Sequence, residues 1–189
     1  AANMVTGIAN AYMDSVPLVI ITGQVPTHLL GSDSFQEVDI TGMTLPITKH
    51  SYLVKDAKEI PRIVKEAFHI AGTGRPGPVL IDLPKNVMAA EVSDPRPPKL
   101  ALKSYKFFAK GNSGQIEEAA KALAQSKKPV VYTGGGVITS GAGTVLRELV
   151  EKANIPVVTT LMGIGSIPAK HPNLLGMVGM HGTRYANYA

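Results

Sequence analysis

The sequence predicts an α/β fold: two partial parallel-sheet α/β domains, 1–92 and 111–189, joined by a linker at 93–110. Three observations carry this. Short apolar runs rich in Val, Ile and Leu are bounded by Pro and Gly: Pro17–Thr22, Pro78–Pro84, Pro129–Thr133 and Ile155–Leu161. Their length and β-branched content suit strands buried in a parallel sheet. Segments with helical apolar spacing alternate with these runs, the pattern of right-handed strand–helix–strand crossovers. Between the halves lies Asp94-Pro95-Arg96-Pro97-Pro98-Lys99, which suits neither a helix nor a central strand and reads as the stiff start of a linker.

Taken in order, the first helix is expected to run through Tyr12 and Met13, capped by Asn3 or Thr6 and ended by Pro17. After the strand Pro17–Thr22 comes a long loop of mixed polarity, Gly23–Glu37, the usual seat of function on an α/β scaffold. Thr48–Val54 reads as a strand. In the next helix Ile60, Ile63, Val64, Ala67, Ile70 and Ala71 fall on one face, and Arg62, Lys65, Glu66 and His69 on the other. Its start is open between a capping box at Asp56 and Glu59 and a first turn holding Pro61. Gly72 and Gly74 end it, and Pro78–Pro84 is the next strand.

The second half opens with Asn112 and Gln115 as a helix cap. Ile116, Ala119, Ala120, Leu123 and Ala124 form that helix's apolar face. The strand Pro129–Thr133 ends in Gly134-Gly135-Gly136. Val145, Leu149, Val150 and Ala153 line a further helix, and the strand Ile155–Leu161 ends in Met162-Gly163-Ile164-Gly165. The halves share no motif, so no internal repeat is inferred.

Composition narrows the function classes. Cysteine is absent, which excludes disulfides and thiolate chemistry. No apolar run nears the ~18–20 residues of a membrane span, so no membrane partner is expected. A cytoplasmic setting fits, organellar if the source is eukaryotic. Net charge is +5, and its one basic cluster is Arg96, Lys99, Lys103, Lys106 and Lys110. No nucleic-acid motif accompanies it, so it reads as a solvated linker rather than a nucleic-acid surface. No two of the five His residues have helical metal-site spacing, so no protein-ligated metal is expected. Gly-x-Ser-x-Gly is absent, leaving a hydrolase elbow without support.

Gly134–Gly136, between a strand and a helix, suits either phosphate binding by backbone N–H groups or a plain tight turn. Thr139 stands where a dinucleotide fingerprint needs a third Gly. The Gly-rich strand end at Gly163 and Gly165 adds to the phosphate reading, because neighbouring strand ends share one crevice. Taken alone, Phe35, Gln36 and Glu37 read as a core aromatic and two solvated polar groups, Lys85 as a strand-end charge, and Arg75 as a loop residue or a phosphate fork.

Several motifs in order resemble one family: Thr6-Gly7-Ile8-Ala9-Asn10-Ala11-Tyr12-Met13-Asp14-Ser15, Ile21-Thr22-Gly23-Gln24-Val25-Pro26, Ser34-Phe35-Gln36-Glu37-Val38-Asp39, Thr48-Lys49-His50, Gly74-Arg75-Pro76-Gly77-Pro78, Met180-His181-Gly182-Thr183 and Ala186-Asn187-Tyr188-Ala189. Together they are similar to the catalytic large subunit of acetolactate synthase, a thiamine-diphosphate enzyme of branched-chain amino-acid biosynthesis. The resemblance implies that 1–92 is the C-terminal part of a pyrimidine-binding domain and 111–189 the N-terminal part of an FAD-binding middle domain. It implies decarboxylation of pyruvate and transfer of the two-carbon unit to a second 2-oxoacid, giving 2-acetolactate or 2-aceto-2-hydroxybutyrate. FAD takes no net redox part.

By the same resemblance, Phe35 and Gln36 face the thiamine ring across a subunit interface. Val25, Pro26 and Lys85 line the substrate channel. Arg75, Gly134, Gly135, Gly136, Thr160, Leu161, Met162, Gly179, Met180, His181 and Gly182 contact FAD. The resemblance also implies a homodimer or homotetramer and leaves a regulatory small subunit open. The family's Gly-Pro-Gly-Ala-Thr-Asn turn is represented only by Ala1 and Asn3, with Ala2 where Thr is usual. The activating Glu is expected before Ala1 and the magnesium–diphosphate site after Ala189, so the isolated chain is expected to be inactive. Glyoxylate carboligase or pyruvate oxidase, which share the fold, and a non-catalytic flavin or nucleotide-binding module are the alternatives.

Overall fold

The structure, a computed structural model, describes residues 1–108 and 110–189 and resolves into two compact units, Ala1–Lys110 and Gly111–Ala189. Each is an α/β unit on a parallel sheet, as expected; each sheet has three strands, the third of the second unit unforeseen. Among the described residues no helix is long and apolar enough to cross a membrane.

The first unit contains α1 (Val5–Met13), β1 (Leu18–Gln24), α2 (Ile40–Thr44), β2 (His50–Leu53), α3 (Ile60–Gly72), β3 (Pro78–Pro84) and α4 (Lys85–Met88). Strand order is β1-β3-β2, all parallel, with Leu18 opposite Pro78 and Gln24 opposite Pro84. Side chains alternate along the central strand β3. Leu80 joins Ile8 of α1, Ile20 of β1 and Ile40 of α2 on one face. Val79 and Ile81 join Ile63, Ala67, Ile70 and Ala71 of α3 on the other. Each such fully buried aliphatic contributes about 1.5–3 kcal/mol, so β3 is the seam that holds both layers.

The structure corrects several details. The run at 18–22 is not buried on both sides: β1 is an edge strand, and Ile21 is 58% exposed while Ile20 is buried. Neither Asn3 nor Thr6 caps α1; the helix continues from a 3-10 turn over Ala2–Met4, which supplies its first turn without a side-chain cap. The open start of α3 resolves in favour of Pro61 in the first turn; Asp56 caps a preceding 3-10 turn, but Glu59 pairs with Arg62 and closes no capping box with it. The Asp56 carboxylate accepts from the Lys58 N–H (2.9 Å) to cap a 3-10 turn, and Pro61 sits in the first α-helical turn. Glu66, expected on the polar face, is buried. It faces β2, where the Tyr52 hydroxyl (3.0 Å) and Arg62 Nη1 (2.7 Å) replace its lost water.

Leu102 and Tyr105, from the segment expected as linker, pack on the α3 side of this unit. Lys49 Nζ donates to the Tyr105 hydroxyl (3.1 Å), to the Thr73 carbonyl (2.6 Å) and to the Ile70 carbonyl. A cation at the C-terminal end of α3 meets carbonyls that the helix leaves free and the negative end of its dipole. Arg96 of the basic cluster pairs with Asp94 at 2.9 Å.

The second unit contains α5 (Ser113–Gln125), β4 (Val131–Thr133), α6 (Gly135–Thr139), α7 (Gly143–Ala153), β5 (Val157–Thr159), β6 (Leu174–Met177) and α8 (Arg184–Asn187). Its parallel sheet has the order β4-β5-β6. Asn112 caps α5 through the Gln115 N–H at 3.1 Å, as expected. The apolar face read for α5 has no buried residue, and Ile116 is 59% exposed. In α7 Val150 is buried and Leu146 partly buried beside it, meeting Val157 and Ile167; Val145 and Leu149 are exposed. Of the face read from the sequence, Val145, Leu149, Val150 and Ala153, the structure packs Val150; its packed neighbour one turn back is Leu146, at the i, i+4 spacing of a helical row.

Candidate functional site

Parallel strands place the loops that follow them at one end of a sheet, where binding crevices form. In the first unit this end carries the loop after β1 and the start of α4 after β3. Gly23, Gln24, Val25, Pro26, Phe35, Gln36, Lys85 and Met88 line one open cleft of about 380 Å³ there. The structure therefore brings together Val25, Pro26, Phe35, Gln36 and Lys85, five residues that lie up to sixty positions apart in the chain.

The loop is held by its own polar groups. The Glu37 carboxylate accepts from the Gly31 N–H, the Ser34 N–H (3.0 Å) and the Ser34 hydroxyl (3.2 Å). Those hydrogen bonds, the Gly31 backbone bond first, hold its carboxyl below the usual carboxylate range. Glu37, read as solvated from the sequence, thus organises the loop. Thr27 and Asn86 exchange two hydrogen bonds, Thr27 N–H to Asn86 Oδ1 (2.9 Å) and Asn86 Nδ2 to Thr27 Oγ1 (3.0 Å), which fasten the loop to α4. Gln36 has φ +62°, a left-handed conformation uncommon outside Gly. Such strain costs on the order of 1–3 kcal/mol and collects at ligand sites. Phe35, read alone as a core aromatic, is instead 89% exposed beside the cleft.

Beneath the cleft, Thr22 and Gln24 of β1 meet Asp82 of β3, which is almost wholly buried. The sequence reading missed Gln24, Asp82 and Met88. A signal existed for one of them: Asp82 is a charged residue between the apolar Val79-Leu80-Ile81 and Leu83-Pro84, where burial demands a partner.

Arg75 lies elsewhere. It precedes β3, at the opposite end of the sheet from the cleft, and donates from Nε to Ser15 Oγ (2.8 Å) and from Nη2 to the Met13 carbonyl (3.3 Å), with Tyr12 beneath its guanidinium. The structure does not bring it to Phe35 or Gln36.

In the second unit the remaining candidates share one end of the sheet. Gly134, Gly135 and Gly136 follow β4; Thr160, Leu161 and Met162 follow β5; Gly179, Met180, His181 and Gly182 follow β6. The first two loops touch. The Thr160 N–H donates to the Thr133 carbonyl (2.9 Å), and Thr160 Oγ1 accepts from the Gly163 N–H (3.0 Å). A Cβ at Gly163 would lie 2.5 Å from the Thr133 oxygen and one at Gly135 3.2 Å from Met162 Cβ, so these glycines permit the approach. A Cβ at Gly136 would meet nothing within 4 Å. Asn187 closes the third loop, accepting from the Gly179 N–H (2.8 Å) and donating to its carbonyl (3.1 Å). Leu161, Met162 and Met180 are exposed around these backbone groups. Among the described residues no cluster of three or more His, Cys, Asp or Glu forms a metal site.

Comparison with known proteins gives the family. Residues 1–43 match the model of the thiamine pyrophosphate enzyme N-terminal TPP binding domain, and residues 116–189 that of the thiamine pyrophosphate enzyme central domain. The chain is 51% identical to the acetolactate synthase isozyme 3 large subunit of Escherichia coli, over 99% of this chain and 33% of that one. It is 52% identical to acetolactate synthase of Arthrospira platensis, over 100% of this chain and 34% of that one. A solved structure described as a thiamin diphosphate-dependent enzyme from Mycobacterium smegmatis superposes with a TM-score of 0.78 at 25% identity, covering 95% of this chain and 34% of that one. The chain thus spans about a third of the length of these relatives. Two domain models of one family matched in order, and about half of all residues shared with acetolactate synthases, make the chain a member of the thiamine pyrophosphate enzyme family.

Proposed function

We propose that the protein carrying this chain works as an acetolactate synthase large subunit. It takes two molecules of a 2-oxoacid, releases one CO2, and joins the remaining two-carbon unit of pyruvate to pyruvate or 2-oxobutyrate. The observation that supports this most is the single cleft shared by Val25, Pro26, Phe35, Gln36 and Lys85. Its wall is apolar at Val25 and Pro26, its rim carries an exposed aromatic ring at Phe35, and Gln36 offers an amide that can both donate and accept. Lys85 adds a positive charge that favours entry of a carboxylate substrate.

Thiamine diphosphate, when bound, supplies a thiazolium that accepts the electron pair freed as CO2 leaves. Phe35 and Gln36 are the residues of this chain that face it, orienting the substrate and limiting water. FAD suits the loops after β4, β5 and β6. Gly136 and Gly179 leave open space beside the backbone, while Leu161, Met162 and Met180 offer apolar faces to a flat ring. The working form is a homodimer or homotetramer with the cleft at the subunit interface, in the cytoplasm.

The test is product identification with the full-length protein, thiamine diphosphate, magnesium and FAD. Pyruvate alone should give 2-acetolactate and one CO2 per product. Acetyl phosphate from pyruvate, or tartronate semialdehyde from glyoxylate, as the main product would instead assign a sister enzyme.

A further inference from the structure

One side chain closes the neck of the loop that carries Phe35 and Gln36. Gln24, the last residue of β1, donates from Nε2 to the Val38 carbonyl (2.8 Å), and its Oε1 accepts from the Val25 N–H (2.8 Å). A single amide thus ties the first residue of the loop to the residue just past Glu37. Its orientation is set from a third side. Nε2 also donates to Asp82 Oδ2 (3.1 Å), and Asp82 Oδ1 accepts from Thr22 Oγ1 (2.7 Å). A flipped Gln24 amide would set its oxygen against two acceptors and its nitrogen against an N–H, so only one orientation satisfies every partner.

Asp82 is 1% exposed on the central strand. Burial pushes its carboxyl above the usual range, with Asp39 the nearby acid acting in the same direction and the bonds from Thr22 and Gln24 opposing it. A carboxylate in such a place costs stability unless its partners offset the lost hydration. An apolar residue would fill the strand without that cost, but it would leave Gln24 unguided.

We propose that Gln24 and Asp82 are positioning residues. Asp82 sets the Gln24 amide, and Gln24 clips the loop 25–38 so that Val25, Pro26, Phe35 and Gln36 form one cleft. The catalytic consequence rests on the acetolactate synthase reading; the ordering of the loop does not.

The test uses the full-length protein with Gln24→Met, Asp82→Leu and Asp82→Asn, reading amide hydrogen exchange by mass spectrometry and kcat and KM for pyruvate. Gln24→Met keeps the length of the side chain and removes the amide. It should speed exchange across 25–38 by about tenfold while β3 and α3 keep their protection. It should lower kcat/KM by about 10- to 100-fold. Asp82→Leu should follow it. Asp82→Asn, whose oxygen still accepts from Gln24 while its nitrogen donates to the Thr22 hydroxyl, should stay within about threefold of the parent on both readouts. Unchanged loop exchange in Gln24→Met would overturn the proposal. So would an equal loss of protection in β3 and α3, or an Asp82→Asn as impaired as Gln24→Met. If Asp82→Leu fails to fold, the other two variants still decide. Faster loop exchange in a protein that makes no acetolactate would leave the clip standing and remove the functional reading.

Discussion

The Tyr52 hydroxyl of β2 donates to the Glu66 carboxylate of α3 across 3.0 Å, joining sheet and helix through a carboxylate that is only 6% exposed. Arg62 approaches the same oxygen from one helical turn away, at 2.7 Å. This trio sits beside the apolar seam between α3 and β3, and it sets how the helix meets the edge of the sheet.

Tyr52→Phe should therefore cost about 1.5–3 kcal/mol, the range for a hydrogen bond to a charged group, because Glu66 stays buried with one donor fewer. Burial, and then the Glu66 carboxylate, hold the Tyr52 phenol well above its usual range. A raised folded value means stability that is fully present below the ordinary tyrosine value near ~10 and is lost as pH rises above it. Chemical denaturation between pH 7 and 11 should show that alkaline loss in the parent and not in Tyr52→Phe.

Asp82 follows the same sign in the acid range. Its carboxyl is raised mainly by burial, so the folded state holds its proton to higher pH than the unfolded chain does. Its stability contribution is present below the ordinary Asp value near ~3.9 and declines as pH climbs through the raised folded value. Asp82→Asn should have a higher denaturation midpoint than the parent at pH 7, and the gap should close as pH falls toward 3.5. A gap that stays constant over this range would point to packing rather than charge.

The glycines after β4 and β5 separate fold from ligand. Gly163→Ala would drive a Cβ to 2.5 Å from the Thr133 carbonyl oxygen, so it should destabilise the second unit by several degrees in melting temperature. Gly136→Ala meets nothing within 4 Å and stands in a helix, where Ala is favoured by roughly 1 kcal/mol. It should leave melting unchanged or higher. If FAD lies against these loops, Gly136→Ala should still weaken flavin binding by about tenfold, since the added methyl would fill open space beside the backbone that the flavin needs. Flavin fluorescence titration of the full-length protein measures this directly.

Much of the fold was legible because apolar runs and Pro/Gly punctuation report burial directly. β3 reads as a buried strand, and it is buried on both faces. β6 was not legible: Leu174-Leu175-Gly176-Met177 is short, holds a glycine at φ +110°, and looks like loop. Edge position is also invisible in a local pattern, so Ile21 reads as core and lies exposed. At the cleft, the sequence alone made Phe35 a core residue and Glu37 a solvated one. Only the folded loop shows Phe35 turned outward and Glu37 turned in, because backbone N–H groups that bind a carboxylate leave no trace in residue order. Gln24 was hidden for the same reason. Its partners, Val38 and Asp82, lie 14 and 58 residues away.

The most direct test of the central claim is acetolactate formation by the full-length protein and by its Gln36→Ala and Phe35→Ala variants, followed as kcat/KM for pyruvate. The account predicts acetolactate from the parent and a loss of about tenfold or more in each variant, with flavin content retained. A parent that forms no acetolactate, or variants that match it in kcat/KM, would contradict the account.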